Sequence, residues 1–404
     1  MGAPLHIFTS SFPCVAAPER PFVEPELHCL NKYFNRIIYY PYHVRGSFID
    51  LPDGVSVDAS FSRLRLRRIL NPTNWAAMTW NQDFRNEWAN KKADVRRVVM
   101  GGLTIGAVVR WVRRQSKTFG KSDLFYTCSL SPVTLGLCRG LTAQRVISRC
   151  TGGDVREDQH DANYIPYKSA SLREIDHIFP VSKHLSEFLT DQNPQLKNKS
   201  TVSRNGVPPA GFVARISDDG VRRIVSCGRM VSLKRYNLLA RALVQLAECR
   251  PEVRFCWKHM LLGEMDESVR RLLDEKSPPN LSAEFVVGVR NVVSYYKDLK
   301  VDLFVHVSRS EGFGVAVAEA LSCGVPVFAT NSGGVSDMVD DSVGRLADND
   351  LDSGSLATEL WALLEEPALL AGKKKRALER WRTVANAAVN YDAFARSLAE
   401  CQGD

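Results

Sequence analysis

Residues 301–329 read VDLFVHVSRSEGFGVAVAEALSCGVPVFA, and this stretch decides the fold. The apolar, β-branched run 301–307 has the length and composition of a buried strand. Glu311-Gly312-Phe313-Gly314 then supplies a glycine turn, and apolar positions in 314–323 recur at helical spacing. A second apolar run, 325–329, follows. Strand, glycine turn, helix and strand is the unit of a parallel sheet covered by helices. The first turn of a helix placed this way offers backbone N–H groups without partners in the helix, and the positive end of the helix dipole. That geometry binds phosphate and other anions, and glycine lets a ligand approach the backbone closely. Glu311 falls in the loop at the strand end. Glu319 falls about one and a half turns into the helix, at about 3.6 residues per turn. A carboxylate can accept two hydrogen bonds from a vicinal diol, so either glutamate can hold a sugar or a ribose.

The same alternation extends in both directions. Upstream, 223–227, 253–257, 284–287 and 302–307 read as buried strands, with helical patterns over 233–248 and 267–274. Between 205 and 220, Asn, Gly, Pro and Asp are dense enough to mark a connection between domains. Before it, 5–10, 36–42, 123–129, 145–149 and 177–181 read as strands, with helical patterns at 24–33 and 168–175. After residue 355 the period is helical. The expectation is an α/β chain of two doubly wound, Rossmann-like halves facing a cleft, with ligands beyond the carboxyl ends of the strands.

Bulk properties fit this class. The chain has 404 residues, 45% hydrophobic and 24% charged, with a net charge of +8. That basic excess is compatible with an anionic small molecule, a membrane surface or nucleic acid, and decides none of them. Ten cysteines without a CxxC pair or zinc spacing read as reduced and cytosolic. No basic region followed by an apolar core opens the chain, so no signal peptide is expected. The longest apolar run, 98–109, falls short of the roughly 20 residues a membrane span needs. Neither the dinucleotide fingerprint after the first strand nor a P-loop is present. Arg63, Arg65, Arg67 and Arg68 form one basic cluster. Lys91, Lys92, Arg96, Arg97, Arg110, Arg113, Arg114, Lys117 and Lys121 form a longer run, with Trp111 and 98–109 interleaved. That run reads either as a helix lying on an anionic membrane or as a solvated face packed on the first sheet. No nucleic-acid module is recognisable.

The stretch 308–337 resembles the donor-site signature of the retaining GT-B glycosyltransferases of family four. That family carries two glutamates at the spacing of Glu311 and Glu319, then Gly-x-Pro-x, here Gly324-Val325-Pro326-Val327, then a glycine pair, here Gly333-Gly334. Asp337 stands where the family usually has glutamate. Ser226 to Arg235 resembles the family's strand, turn and helix carrying Gly228-Arg229 and, five residues on, Lys234. Trp257-Lys258-His259 and 286–289 with Tyr295-Tyr296 resemble segments flanking the nucleotide base. His259 reads equally as a structural histidine. In the first half, 9–13 and 19–23 resemble the opening strand and loop of polysaccharide-building members. Ser148 to Asp154 falls where many members have Arg-x-His-Gly-x-Asp, with Thr151 at the histidine position.

The resemblance implies a GT-B fold with domains 1–208 for the acceptor and 209–375 for the donor, and C-terminal helices 376–404 crossing back to the first. It implies a retaining, metal-independent hexosyltransferase acting from a nucleoside-diphosphate sugar on a glycan or lipid-linked glycan. Glu311, Arg229 and Lys234 are the expected catalytic residues. Gly228, Gly312, Phe313, Gly314, Glu319, Gly288 and Val289 are expected to bind the donor. Arg149, Thr151, Gly152 and Asp154 are expected to contact acceptor or sugar. No metal, no cofactor and no nucleic-acid partner are expected; Asp348-Asn349-Asp350 lacks the context of a metal-binding Asp-x-Asp and reads as a solvated loop. The expected location is cytoplasmic, peripheral on the inner face of the membrane. Rival readings are a sugar-nucleotide epimerase or phosphorylase on the same fold, or an inactive sugar-nucleotide-binding protein.

Overall fold

A computed structural model describes residues 3–402, apart from Trp80, residues 91–93, Asp161 and Arg290. Lys91 and Lys92 of the basic run lie outside the described residues. The chain forms two compact units, one running to Asn205 and rejoined by the segment from Ala388, the other spanning Gly206–Ala387.

In the first unit six strands form one parallel sheet: β1 (Leu5–Thr9), β2 (Ile37–Pro41), β3 (Val55–Val57), β4 (Leu124–Cys128), β5 (Arg145–Cys150) and β6 (His177–Pro180), in the order β3-β2-β1-β4-β5-β6. Leu5 stands opposite both Ile37 and Leu124. Every residue of β1 is buried, as expected for a central strand covered on both faces. The helix Val95–Gln115 is started by Asp94, whose carboxylate accepts from the Arg96 amide at 2.8 Å. Its apolar stripe, including Leu103, Val108 and Val112, enters the core, and Trp111 stacks edge-on at 5.0 Å from Phe61 and 5.3 Å from Tyr40. Most of the run 98–109 and Trp111 are therefore core, which removes them as membrane contacts. Arg113 and Arg114 remain on the solvated face.

The second unit repeats the plan with β7 (Val221–Gly228), β8 (Arg254–Leu261), β9 (Leu281–Val287), β10 (Leu303–His306), β11 (Val327–Thr330) and β12 (Gly344–Ala347), all parallel, ordered β12-β11-β10-β7-β8-β9. Its core joins Trp257 and Leu303 of the sheet to Leu239, Leu243, Leu360 and Leu364 of the covering helices. Counted from its own first strand, each sheet has the order 3-2-1-4-5-6. The winding reverses between β1 and β4 in one unit and between β7 and β10 in the other. Open α/β sheets bind ligands outside the carboxyl ends of the strands at that reversal.

The ten strands expected from the sequence are present, with shifted ends. The two it did not anticipate, β3 and β12, are edge strands of three and four residues. The helix Pro367–Arg380 stays with the second unit, because Arg380 donates to the Met338 carbonyl at 3.1 Å and to Asp340 at 2.5 Å. The return to the first unit thus comes at Ala388, where the sequence expectation drew it at 376.

Candidate functional site

At the reversal in the second unit, three loops are stitched together over the strand ends. The loop after β10 donates the Glu311 amide to the Ser332 carbonyl at 2.7 Å, and the Glu311 carbonyl accepts from the Gly334 amide at 3.0 Å. On its other side, the Arg309 amide donates to the Leu233 carbonyl at 2.9 Å in the loop after β7. The glycines make this possible. A Cβ on Gly334 would stand 2.0 Å from the Gly312 carbonyl oxygen, so only glycine lets the two loops touch. Gly314 caps the helix Val315–Ser322 with φ +94°, a left-handed conformation.

This bracing turns the Glu311 side chain back over β10. Its Oε2 accepts from Lys234 Nζ at 2.5 Å, and His306 Nε2 lies 3.4 Å from the same oxygen. Burial alone would raise the Glu311 carboxyl. His306 and Lys234 outweigh it and hold the group at about 2, so it is anionic at neutral pH. His306 is buried, and burial pushes its imidazole below the ordinary value. Lys234 sits on the short 3-10 turn Ser232–Lys234 that follows β7.

Glu319 lies on the helix Val315–Ser322, part-buried, with no hydrogen-bond or ion-pair partner for its side chain among the described residues. Burial raises its carboxyl to about 7. It shares a neighbourhood with Lys234: the Cys227 thiol at the end of β7, pushed up by burial to about 12, is raised further by Glu319 and lowered by Lys234. Arg229 follows Gly228 directly off β7, exposed and likewise without a side-chain partner among the described residues. Phe313 is buried beside Gly312. Gly288 is exposed and Val289 half-buried at the end of β9.

Among the described residues, buried hydroxyls without hydrogen-bond partners occur just beyond β10 and β11, Ser308 Oγ and Ser332 Oγ, and on the helix Val292–Asp298, Tyr296 Oη. Buried polar groups are normally satisfied, so unsatisfied hydroxyls beside the strand ends mark a place suited to a polar ligand. The Tyr296 hydroxyl, raised chiefly by burial, lies near enough to Glu319 and Cys227 for both to raise it further.

Other expectations resolve differently. His259 is fully buried and both ring nitrogens are engaged, Nδ1 with Ser226 Oγ at 2.8 Å and Nε2 with the Gly228 carbonyl at 3.1 Å. Burial lowers it to about 4, and it is a structural brace for β7. Arg235, which the sequence reading passed over, clamps three strand ends. It donates to the carbonyls of Val307 and Asn349 at 2.6 Å each and to Thr330 Oγ1 at 3.2 Å. Asn349 is thereby fixed, while Asp348 and Asp350 are exposed. Among the described residues no three His, Cys, Asp or Glu side chains come together as a metal-holding group.

In the first unit Arg149 is a core residue, a correction to its expected role as an acceptor contact. It is 1% exposed, paired with Glu26, hydrogen-bonded to the Ser203 and Arg204 carbonyls at 3.1 Å, and stacked over Phe394. Asp154 shapes the loop after β5 by accepting from the amides of Thr151 and Gly152 at 2.9 Å and of Leu130 at 3.0 Å. Thr151 itself is exposed.

Residues 213–380 match the family described as glycosyl transferases group 1. A D-inositol 3-phosphate glycosyltransferase from Catenulispora acidiphila is 30% identical over 48% of this chain and 45% of its own length. The lipopolysaccharide core biosynthesis mannosyltransferase LpsB of Rhizobium meliloti is 29% identical over 42% and 49%. The chain thus spans about half the length of these curated relatives. In fold, the solved α,α-trehalose 6-phosphate synthase of Burkholderia multivorans matches 100% of this chain and 98% of its own, with a TM-score of 0.69 at 10% identity. The architecture is that of the GT-B glycosyltransferases.

Proposed function

We propose that the chain, whose residues 213–380 match the glycosyl transferases group 1, is a retaining, metal-independent hexosyltransferase. It moves a hexose from a nucleoside-diphosphate sugar to a glycan or lipid-linked glycan acceptor. The observation that carries this reading is the Lys234–Glu311–His306 cluster at the β7/β10 reversal, flanked by Arg229 and Glu319, whose side chains have no partner among the described residues.

In this reading Arg229 and Lys234 meet the diphosphate. Fixed cations at a strand end neutralise the charge that grows on the departing nucleotide, the role a preorganised electrostatic site plays best. Glu311, ionised and anchored, accepts from hydroxyls of the transferred sugar. Its negative charge also favours the positive character that develops at the anomeric carbon. Glu319 accepts from the ribose diol. Lys234 has two tasks, holding Glu311 in the free protein and turning part of its charge to phosphate when donor arrives.

The membrane belongs to the same reading, on a different surface from the one the sequence pointed to. No helix among the described residues is long and apolar enough to cross a bilayer. The helix Leu64–Leu70 instead presents Leu66, Ile69 and Leu70 to solvent beside exposed Arg63, Arg65 and Arg67. Trp75, also exposed, donates its indole N–H to the Ile69 carbonyl at 2.8 Å. Apolar side chains among cations fit an anionic lipid surface.

The experiment is calorimetric titration with UDP-, GDP-, ADP- and dTDP-sugars, followed by donor hydrolysis without acceptor, read by NMR. Binding of one class, with the freed sugar appearing first as the anomer present in the donor and with turnover unchanged in EDTA, is the expected result. The opposite anomer would overturn retention. Loss of turnover in EDTA restored by manganese or magnesium would overturn metal independence. Binding without any hydrolysis or transfer would favour an inactive sugar-nucleotide-binding protein.

A further inference from the structure

The reversal in the first unit, between β1 and β4, opens on a cavity of about 430 Å3. Its walls are largely apolar, with Phe61, Met100, Val133 and Pro166 among them, and among the described residues no Asp or Glu lines it. The size and lining are those of a small-molecule site, in the place where a doubly wound sheet takes its ligand.

One charged side chain in the wall is left unsatisfied. Arg68 is half-buried, and its Nη1 donates to Tyr42 Oη and, at 2.6 Å, to Thr104 Oγ1, both neutral oxygens. Its Nε is buried and has no partner among the described residues. A guanidinium drawn out of water normally finds an anion, because an unpaired buried charge is unfavourable. Among the described residues no carboxylate supplies one here. Burial pushes the Arg68 guanidinium below its ordinary value and Arg65 adds to this; the Tyr42 phenol opposes them, and no carboxylate does.

The surroundings reinforce this. Arg65 Nη1 lies 2.9 Å from His43 Nδ1, and the His43 imidazole is lowered by burial and then by Arg65, Arg45 and Arg68 together. The acid that opposes them, Glu19, is committed elsewhere: its carboxylate accepts from the amides of Ser11 and Phe12 and from the Ser11 hydroxyl. Arg97 lines the cavity as a second cation.

We propose that this cavity takes an acceptor joining an apolar body to an anionic group, a phosphate ester or carboxylate, with the anion held by Arg68 between Tyr42 and Thr104. The inference rests on the glycosyl-transfer reading for the word acceptor. The cavity, the orphan guanidinium and the missing counter-ion stand independently of it. An anion reaching Arg68 would gain a charge-assisted hydrogen bond, worth roughly ten- to a hundredfold in affinity.

The test uses the full chain and three calorimetric probes. Octyl phosphate below its micelle concentration is apolar and anionic, octyl β-glucoside is apolar and neutral, and glucose 6-phosphate is anionic and polar. Octyl phosphate is expected to bind at least tenfold more tightly than either of the others. Arg68→Met should remove that advantage, Arg68→Lys should keep part of it, and neither should alter nucleotide binding measured in parallel. If the two octyl probes bind equally, or glucose 6-phosphate binds as well as octyl phosphate, the proposal fails whether or not Arg68→Met folds. Nucleotide binding with no octyl phosphate preference would overturn this inference alone. An octyl phosphate preference without nucleotide binding would support the cavity and sink the donor reading.

Discussion

Two glutamates eight positions apart on one loop and helix have opposite electrostatics, and each predicts a different experiment. Glu311 is held at about 2 against the desolvation that would raise it, by His306 and Lys234. Its contribution to stability is therefore present above the unfolded value of 4.5 and is lost as pH falls towards 2. Lys234→Ala should leave the Glu311 carboxylate part-buried without its cation, costing about 1–3 kcal/mol once partial exposure is allowed for. In turnover it should cost about a hundredfold or more, if Lys234 also meets the diphosphate. A thermal melt beside a kcat measurement separates the two effects. Glu319 is raised to about 7, by burial alone. Its folded pKa exceeds the unfolded 4.5, so the penalty is absent below pH 4.5, grows through the interval and is complete above pH 7. Glu319→Gln should then be more stable than the wild type at pH 8 by about 1–2 kcal/mol, allowing for partial exposure, and equal to it at pH 4. Glu319→Ala should weaken donor binding by roughly tenfold, the loss of a hydrogen bond to a charged group. A donor bound through the carboxylate should bind more tightly as pH rises through 7 in the wild type, and without that slope in Glu319→Gln. A flat wild-type profile would remove Glu319 from the ribose.

At the scale of elements, the glycine turns were legible because a backbone constraint is written in one letter. Gly314 and Gly333-Gly334 were picked out in the sequence, and the structure gives the reason in the approach of Gly334 to the Gly312 carbonyl. Gly334→Ala should force the loops after β10 and β11 apart, destabilise the protein by about 1–3 kcal/mol or more, and displace Glu311. Gly372→Ala is the matched control. It sits in the helix Pro367–Arg380 with nothing within 4 Å of its added Cβ, and should stabilise by about 0.5–1 kcal/mol. Equal melting temperatures for the two variants would contradict the bracing role. Buried strands were legible for a similar reason, since runs such as Val325–Ala329 are apolar throughout. β3 and β12 were not, because an edge strand of three or four residues carries no such run. Pairings distant in sequence were the least legible. Arg149 looked like a binding residue because its partner, Glu26, lies 123 positions away. Arg235 was missed because its partners are mostly backbone carbonyls, which no sequence displays.

At the scale of the whole molecule, the question is where a chain of net charge +8 puts its cations relative to its exposed apolar surface. The sequence placed the two together at 91–121. Folding largely separates them there, since the helix Val95–Gln115 spends its apolar stripe on the first sheet and leaves arginines and, at its start, Val95 outside. The combination survives around the helix Leu64–Leu70, where Leu66 is 70% and Leu70 is 78% exposed among Arg63, Arg65 and Arg67. Leu64 packs against the first core, but packing does not explain Leu66 and Leu70. On an anionic bilayer each arginine near the surface contributes roughly 1 kcal/mol, screened over about 8 Å at physiological salt. Each buried leucine adds on the order of 1.5–3 kcal/mol. Three cations and two leucines therefore suffice for reversible attachment. In liposome flotation, recruitment should rise with anionic lipid and fall in high salt. Leu66→Glu with Leu70→Glu should reduce it at least tenfold while leaving the melting temperature nearly unchanged, because neither side chain is packed. Arg113→Glu with Arg114→Glu should reduce it far less, having charge to lose and no exposed apolar neighbour to withdraw. If the arginine pair proves the stronger variant, attachment is carried by the field of the longer helix, and the exposed leucines serve another contact.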